Sequence, residues 1–318
     1  MKTRFIYKIV AVVICFMTIS TATMQAQQQA YTSIFEGTKA YWNPAGAGVL
    51  PYMKTDVWFR QQWLGFGSTA PRTGFIGFEY PFSDMNMAAG AMVTFDQTGP
   101  VSKKGLNLNY NYQLRGFLTE EGQLSLGIRA GFQQYAFSKD DVLFYDTNDQ
   151  LLQANNTSTI YPTVGAGFYY MSTTDEYYDN MFYFGGSYNQ IYTTDVLINQ
   201  FNQKRENHIV FNIGSKIYSP DSFIEPSLTV NYTNPEFIDF IAAARYEMRN
   251  AFWAGIGYSS VSEVSVEGGV ILDKFGGRYG QLRAGVIGNI SISDEIGNFG
   301  PGAEIYISYR FENGGGRW

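Results

Sequence analysis

Residues 106–114 read Leu-Asn-Leu-Asn-Tyr-Asn-Tyr-Gln-Leu, and this stretch decides the fold. Every even-numbered residue in it is apolar or aromatic, whereas every odd-numbered residue carries an uncharged amide. Because a β-strand points successive side chains to opposite faces, the stretch predicts a strand with one apolar and one polar face. At roughly 3.3 Å per residue, such a strand is long enough to cross the hydrocarbon core of a membrane.

The same alternation recurs along the chain, with turn residues between the segments. The segments predicted to be strands lie near 54–63, 72–80, 86–95, 104–115, 123–134, 160–171, 181–192, 207–217, 223–233, 237–247, 250–259, 264–272, 280–290 and 302–311. An even number of strands is what bacterial barrels require. The sequence therefore predicts an all-β protein, a transmembrane antiparallel β-barrel of about 14 strands with both termini on the periplasmic side.

Composition separates this prediction from its main alternative, a soluble β-sandwich, which also alternates apolar and polar residues. Only 16% of the 318 residues are charged, compared with about a quarter in soluble domains. The polar faces carry mainly Asn, Gln, Ser, Thr and Gly rather than charges, which favours the membrane barrel. Aromatic residues near strand ends are further expected to form girdles at the membrane interfaces: Trp58, Trp63, Tyr80, Tyr112, Tyr170, Tyr192 and Tyr258.

The N-terminus predicts export. Basic residues at the start precede an apolar stretch over 9–17 and small residues, with cleavage expected after Ala22 or Ala26. This layout is typical of a secretory signal peptide, and the apolar stretch is too short to span a membrane as a helix. The predicted organisation is a signal peptide over 1–26, a periplasmic or lumenal segment over 27–52, an outer-membrane barrel over 53–311 and a tail over 312–318.

The connections between the predicted strands alternate in length. Long polar connections are expected on the outside at 135–159, 193–206 and 291–301, and short turns on the periplasmic side at 81–85, 116–122, 218–222 and 248–249. Bacterial barrels show this asymmetry. The connection at 172–180 is longer than the other predicted turns and fits the scheme less well.

No catalytic constellation emerges from the sequence. His208 is the only histidine, and no Ser nucleophile motif accompanies it, so a lumenal residue is favoured over the base of a hydrolase. The acidic loop 138–156 lacks the Gly and the closing Glu of a hand-type calcium site. Cys15 is the only cysteine and lies within the predicted signal peptide. The net charge of −6 argues against a nucleic-acid partner. We therefore expect a non-enzymatic protein without cofactor or metal.

Several motifs together resemble those of a known family. They are Trp42-Asn43-Pro44-Ala45-Gly46-Ala47-Gly48, Arg60-Gln61-Gln62-Trp63-Leu64-Gly65, Ala70-Pro71-Arg72-Thr73, Asp96-Gln97-Thr98-Gly99-Pro100, Leu124-Ser125-Leu126-Gly127 with Ala130-Gly131, Gly165-Ala166-Gly167-Phe168-Tyr169-Tyr170 and Tyr309-Arg310-Phe311. The ordered set resembles the PorP/SprF family of outer-membrane proteins of the type IX secretion system. The resemblance covers nearly the whole mature chain. The tail after Phe311 departs from the family pattern.

The resemblance implies a barrel without catalytic activity that supports secretion, gliding motility or surface attachment of large adhesins. Its expected partners, besides outer-membrane lipid, are secretion-system components or a secreted surface adhesin. The residues alone leave two functions open. One is a docking or anchoring component whose lumen is closed by side chains, loops or the segment 27–52. The alternative is a diffusion channel or small-molecule transporter. The amide-rich polar face favours a hydrogen-bonded interior over an ion path.

We predict one cluster of functional residues near the first strands, with either a structural or a partner-contacting role. Its members are Asn43, Pro44, Arg60, Trp63, Asp96, Gly99 and Pro100. The simpler alternative is that Pro44 and Gly99-Pro100 only form turns and that Trp63 belongs to an aromatic girdle.

Overall fold

The computed structural model shows a closed antiparallel β-barrel of fourteen strands. It describes residues 32–33, 36–138, 157–173, 180–191, 196–198, 201–203, 207–234, 237–277, 280–293 and 299–311. The predicted signal peptide, the acidic residues of loop 138–156, Tyr192 and the tail over 312–318 lie outside the described residues. In the described part of the chain, no helix has the length and apolar character needed to span a bilayer.

The strands follow one another around the barrel in chain order. Their bounds are β1 Met53–Gln61, β2 Arg72–Phe82, β3 Met87–Thr98, β4 Val101–Arg115, β5 Gln123–Phe137, β6 Thr157–Met171, β7 Met181–Asn189, β8 Val196–Ile198, β9 Phe201–Gln203, β10 His208–Ser219, β11 Ser222–Asn234, β12 Phe237–Met248, β13 Phe252–Ser259, β14 Glu263–Asp273, β15 Gly280–Ser291 and β16 Gly302–Phe311. Strands β8 and β9 form a separate two-stranded sheet, and β1 pairs with β16 to close the barrel. The predicted fourteen barrel strands are confirmed. The β8–β9 hairpin, inside the predicted 193–206 connection, was not predicted.

The two faces of the strand at 106–114 are as predicted. Leu106 and Leu108 on the outside are 50% and 57% exposed, whereas Asn109 and Asn111 are 4% and 0% exposed. The outer wall of the other strands is likewise apolar, with exposed Val, Ile, Leu and Phe side chains. The alternation is therefore an outside-to-lumen alternation, and the polar face of each strand forms the lining of the lumen.

The two ends of the barrel differ in their connections. At one end, which we call the long-loop end, strands are joined through residues 62–71, 138–156, 190–207 and 292–301, with shorter links at 99–100, 235–236 and 260–262. At the opposite end, which we call the short-turn end, the links are 83–86, 116–122, 172–180, 220–221, 249–251 and 274–279. Strand β1 starts and β16 finishes at the short-turn end. The residues at 172–180 thus belong to the short-turn end, where the sequence pattern placed them.

The expectation that Trp58 belongs to an aromatic girdle at a membrane interface is wrong. Trp58 lies in the middle of β1 and is 0% exposed, because its even position puts it on the lumenal face with Asp56 and Arg60. It belongs to an apolar cluster inside the lumen with Phe75, Met92, Trp253, Ile271, Ile287 and Tyr306. Part of the lumen is therefore packed like the core of a soluble domain, which the amide pattern alone did not indicate.

Aromatic side chains do line the outer wall at the short-turn end. Pairs of rings lie on single strands or across neighbouring ones, with centroids 4.7 Å apart for Tyr80–Phe82 and 5.4 Å apart for Tyr309–Phe311. Tyr170 is only 3% exposed, since the rings of Phe117 and Phe184 cover it. Aromatic rings with a polar tip suit the boundary between hydrocarbon and water.

Candidate functional site

The described part of the chain before β1 lies inside the barrel, and we call residues 32–52 the plug. It contains a short helix, α1 (Lys39–Trp42), followed by a 3₁₀ turn (Pro44–Gly46). Asn43 joins the two, and its Oδ1 accepts a hydrogen bond from the Ala45 amide at 2.9 Å. This is a helix-capping arrangement, with Pro at the first position of the turn as the missing N–H permits. The turn is completely buried, since Ala45 and Ala47 are 0% exposed.

The amides on β4 and β5 bind the main chain of the plug. Four of them donate to plug carbonyls: Asn109 to Ala40 O (3.2 Å), Asn111 to Ala47 O (2.5 Å), Gln113 to Gly48 O (3.0 Å) and Gln123 to Val49 O (3.2 Å). A buried carbonyl that loses its donor costs about 1–3 kcal/mol. The odd-numbered amides of β4 from Asn109 to Gln113, which we call the amide stripe, thus form a row of hydrogen-bond donors for main-chain oxygens of the plug.

The neighbouring strands β6 and β7 also bind the plug. Ser187 Oγ and Asn189 Nδ2 both donate to Trp42 O at 2.8 Å. In return, Asn43 Nδ2 donates to the carbonyl of Phe168 on β6 at 2.8 Å. The plug is therefore bound by hydrogen bonds along four consecutive strands, and most of them involve its backbone rather than its side chains.

Arg129 on β5 brings a positive charge into this mainly neutral part of the site. Its Nη1 donates to Tyr41 O at 2.8 Å, its Nη2 donates to Ala40 O, and its Nε donates to Asn109 Oδ1 at 2.8 Å. The carbonyls sit at the C-terminal end of α1, where a positive charge is favoured. A buried guanidinium thus stabilises the end of the plug helix.

Two glycines make room for the plug. A Cβ at Gly127 would overlap the backbone of Ala45, and a Cβ at Gly167 would overlap the Asn43 amide. Both glycines face the lumen from β5 and β6, at the level of the turn Pro44–Gly46. The absence of a side chain lets the barrel wall and the plug backbone approach each other closely.

A charged network lies on the other side of the lumen, and we call it the Arg60 network. Arg60 contacts Glu304 at 2.9 Å and Glu263 at 2.8 Å. Glu304 also accepts hydrogen bonds from Trp58 Nε1 at 2.9 Å and Asn289 Nδ2 at 2.8 Å. The first described part of the plug reaches this network, because Arg60 Nη1 donates to Ser33 Oγ at 3.2 Å.

Further ion pairs fill the lumen toward the short-turn end. Lys54 contacts Asp56 at 2.9 Å and Glu79 at 3.0 Å, and Glu79 accepts a hydrogen bond from the plug amide of Gly48 at 2.6 Å. On β11–β15, acidic and basic side chains pair within the wall: Arg245 with Glu225 at 2.6 Å and Arg283 with Glu247 at 3.0 Å. Buried charges need such pairing to offset their loss of hydration.

A cavity of about 70 Å³ lies above the plug, toward the long-loop end. The plug residue Tyr41 bounds it together with Asp96, Asn107, Arg129 and Thr163 of the wall. It is a recess in the mouth of the barrel, closed below by the plug.

The predicted cluster of functional residues is divided among three places. Asn43 and Pro44 lie in the plug. Arg60 and Asp96 face the lumen in one row of β1–β3, with Thr73 between them, and Thr73 donates to Asp96 Oδ1 at 2.6 Å.

The remaining members, Trp63, Gly99 and Pro100, lie at the long-loop end. The ring of Trp63 is 5.2 Å from that of Phe299, and Gly99 has φ +55° in the two-residue link before β4. The turn-forming alternative therefore describes Pro44, Gly99 and Pro100 well. A partner contact of any member stays a prediction.

Several lumenal residues were not among the predicted site residues. The sequence pattern placed Asn111, Gln113 and Glu304 on the polar face, and Asn189 was not singled out. Their positions on the polar faces were visible, but the identity of their bonding partner was not. His208 lies on the lumenal face of β10, is 6% exposed and has Nδ1 3.1 Å from Thr233 Oγ1. Among the described residues, no group of His, Cys, Asp and Glu is arranged to hold a metal ion.

Comparison with known proteins gives a family and a fold. The family model described as type IX secretion system membrane protein PorP/SprF matches residues 24–309. No curated protein sequence matches the chain. Among solved structures, the Pseudomonas putida toluene transporter TodX is similar with a TM-score of 0.54 at 7% identity, covering 92% of this chain and 100% of TodX. The CymD monoaromatic hydrocarbon channel is similar with a TM-score of 0.53 at 11% identity, covering 87% of this chain and 93% of CymD. These similarities show the barrel fold.

Proposed function

The chain belongs to the PorP/SprF family of type IX secretion system membrane proteins and is an outer-membrane β-barrel, and from this premise we propose that it is a docking component with a closed lumen. In this role it holds secretion-system components or a secreted adhesin at the outer membrane, in support of secretion, surface anchoring or gliding. It performs no catalysis. The barrel lies with its long-loop end outward and its short-turn end toward the periplasm.

The observation that carries the proposal is the fixed plug. Main-chain carbonyls from Ala40 to Val49 are held by buried amides and by Arg129. Glycines at 127 and 167 fit the plug backbone closely. A barrel that served mainly for diffusion would gain nothing from this many buried hydrogen bonds across its lumen, since each must be broken to open a path.

The working surfaces would then lie outside the lumen. Trp63 and Phe299 pack together at the long-loop end, where Phe299 is 37% exposed. An exposed aromatic pair at the rim suits a protein contact. Arg60, in contrast, is 2% exposed inside the lumen. Of the two, we therefore assign the partner contact to Trp63 and the structural role to Arg60.

A reversible lock on the plug tests the proposal. A Cβ built on Gly90 lies 3.4 Å from Ala47 Cβ, close to the ~3.5–4.5 Å that a disulfide needs. The variant Ala47→Cys/Gly90→Cys, oxidised, should fix the plug to β3. The proposal expects detergent pull-downs to recover secretion components or an adhesin equally from the oxidised and the reduced protein.

The alternative, a diffusion channel or small-molecule transporter, predicts a different pattern. Steady single-channel conductance of the wild type in planar bilayers, abolished by oxidation of the locked variant and restored by reduction, would overturn the closed-lumen proposal. Each single-cysteine variant serves as the control for the substitutions themselves, because neither can form the disulfide.

A further inference from the structure

The plug runs from one end of the barrel to the other. Because its described residues contact the wall at graded heights, the direction of the chain in the lumen can be followed. We propose that the plug is threaded through the whole barrel, with its N-terminal end at the long-loop end and its C-terminal end at the short-turn end. This inference does not depend on which way the barrel faces in the membrane.

The N-terminal end of the plug is anchored near the long-loop end. Ser33 Oγ lies 2.8 Å from Asn289 Oδ1 and 2.5 Å from Glu304 Oε1, and it accepts a hydrogen bond from Arg60. Asn289 is two residues before the end of β15, Glu304 is two residues after the start of β16, and Arg60 is one residue before the end of β1. All three positions are adjacent to the long-loop end.

The C-terminal end of the plug is anchored at the opposite end. Gly48 O accepts from Gln113, two residues before the last residue of β4, and Val49 O accepts from Gln123, the first residue of β5. Both strand ends border the turn over 116–122. The chain then enters β1 at Met53, again at the short-turn end.

Between these anchors the plug passes a constriction. A Cβ at Gly37 would lie 2.7 Å from the ring of Tyr306, so the wall leaves room there for backbone only. The neighbouring side chains of Thr38, Lys39 and Trp42 are buried as well. Pulling the plug toward the short-turn end would drag the preceding residues past Tyr306.

Threading has a consequence for assembly. The barrel closes by pairing β1 with β16, and a folded wall leaves the plug only the constricted lumen as a path. Entry before this seam closes avoids passing the side chains of the plug through the constriction at Tyr306. The plug can afterwards leave only by sliding its N-terminal end back through the barrel. The first described residues of the plug and the end of β16 then lie at opposite ends of the barrel.

Cross-linking on a single strand tests the direction. The variant Ser33→Cys/Asn289→Cys pairs the plug with the long-loop end of β15, and its control, Ser33→Cys/Gln281→Cys, uses the lumenal face of the same strand eight residues away. At ~3.4 Å per residue, these two wall positions are roughly 27 Å apart. The only native cysteine, Cys15, lies in the predicted signal peptide.

The full-length protein in outer membranes is treated with dibromobimane, which fluoresces when it bridges two neighbouring thiols. The proposal expects fluorescence from the Asn289 pair and at most one-tenth of that signal from the Gln281 pair. The reverse pattern, or equal signals from both pairs, would overturn it. Heat-modifiable mobility on gels verifies that each variant is a folded barrel.

A second measurement covers the case in which Ser33→Cys disturbs folding. An epitope tag placed directly before Thr32 is compared on intact cells with the same tag in the loop 292–301 and in the turn 220–221. We expect the tag before Thr32 to match the loop tag in antibody accessibility. Agreement with the turn tag instead would show that the chain enters from the short-turn end.

Discussion

The two halves of the lumen solve the problem of buried polar groups differently. On β4–β7 the lining is mainly neutral, and its amides donate to carbonyls of the plug. On β11–β16 the lining is charged, and Arg245–Glu225 and Arg283–Glu247 pair within the wall. An amide can be buried with one good hydrogen bond, whereas a buried charge needs a partner charge or several acceptors. The neutral half therefore depends on the plug, and the charged half largely does not.

Filling the space that Gly127 leaves for the plug should have the largest effect of the changes to the two halves. The Val side chain in Gly127→Val would overlap the backbone of Ala45. We therefore expect the plug to be displaced from the lumen and steady conductance steps to appear in planar bilayers. The control is Gly288→Val on the outer wall, where a Cβ meets nothing within 4 Å. If the folded Gly127→Val variant shows no more conductance than the control, the plug does not block the lumen as described.

Removing a carboxylate from the charged half of the lumen should have the next largest effect, a loss in the free energy of unfolding. Glu304→Ala removes one of the two carboxylates that pair with Arg60 and the acceptor of Trp58 and Asn289. Arg60 keeps Glu263, but the buried donors of Trp58 and Asn289 lose their acceptor at about 1–3 kcal/mol each, and urea unfolding in liposomes should show this loss. Asp273→Asn, an acid removed at the exposed end of β14, is expected to change stability by less than ~0.5 kcal/mol. Similar losses from both variants would contradict the Arg60 network as a stabilising element.

Removing one hydrogen bond between the neutral half of the lumen and the plug should lower the free energy of unfolding by less. Asn111→Ala leaves the carbonyl of Ala47 without its side-chain donor, at about 1–3 kcal/mol in the same unfolding experiment. Asn107→Ala on the same face of β4 is the matched control, because Asn107 bonds Thr163 of the wall. We expect limited proteolysis to cut the plug faster in Asn111→Ala than in Asn107→Ala. Equal rates would indicate that the amide stripe does not hold the plug.

The outer wall should respond least. Leu108 is 57% exposed on the apolar face of the same strand, and Leu108→Val keeps that face apolar. The expected change in the free energy of unfolding is within ~0.5 kcal/mol, and plug proteolysis should be unchanged. A loss comparable to that of Asn111→Ala would show that the lipid-facing side specifies more than apolar character.

The sequence predicted the strands and their faces because both follow from local alternation. It misplaced Trp58 because Trp is a residue type that is common in aromatic girdles, whereas the even position of Trp58 on β1 puts its side chain in the lumen. The predicted cluster from Asn43 to Pro100 gathered residues that are close in sequence. The structure assigns them to the plug, the lumenal wall and the rim.

The sequence by itself determined that this chain is a fourteen-stranded barrel with an apolar outside and an amide-rich lumen, since a period of two residues sets the face of every side chain. Only the tertiary structure decided what the amides bind. The bond from Asn111 to Ala47 O joins residues 64 apart, and the bond from Asn189 to Trp42 O joins residues 147 apart. Such pairs arise from barrel closure around the plug, and no local pattern specifies which carbonyl meets which donor.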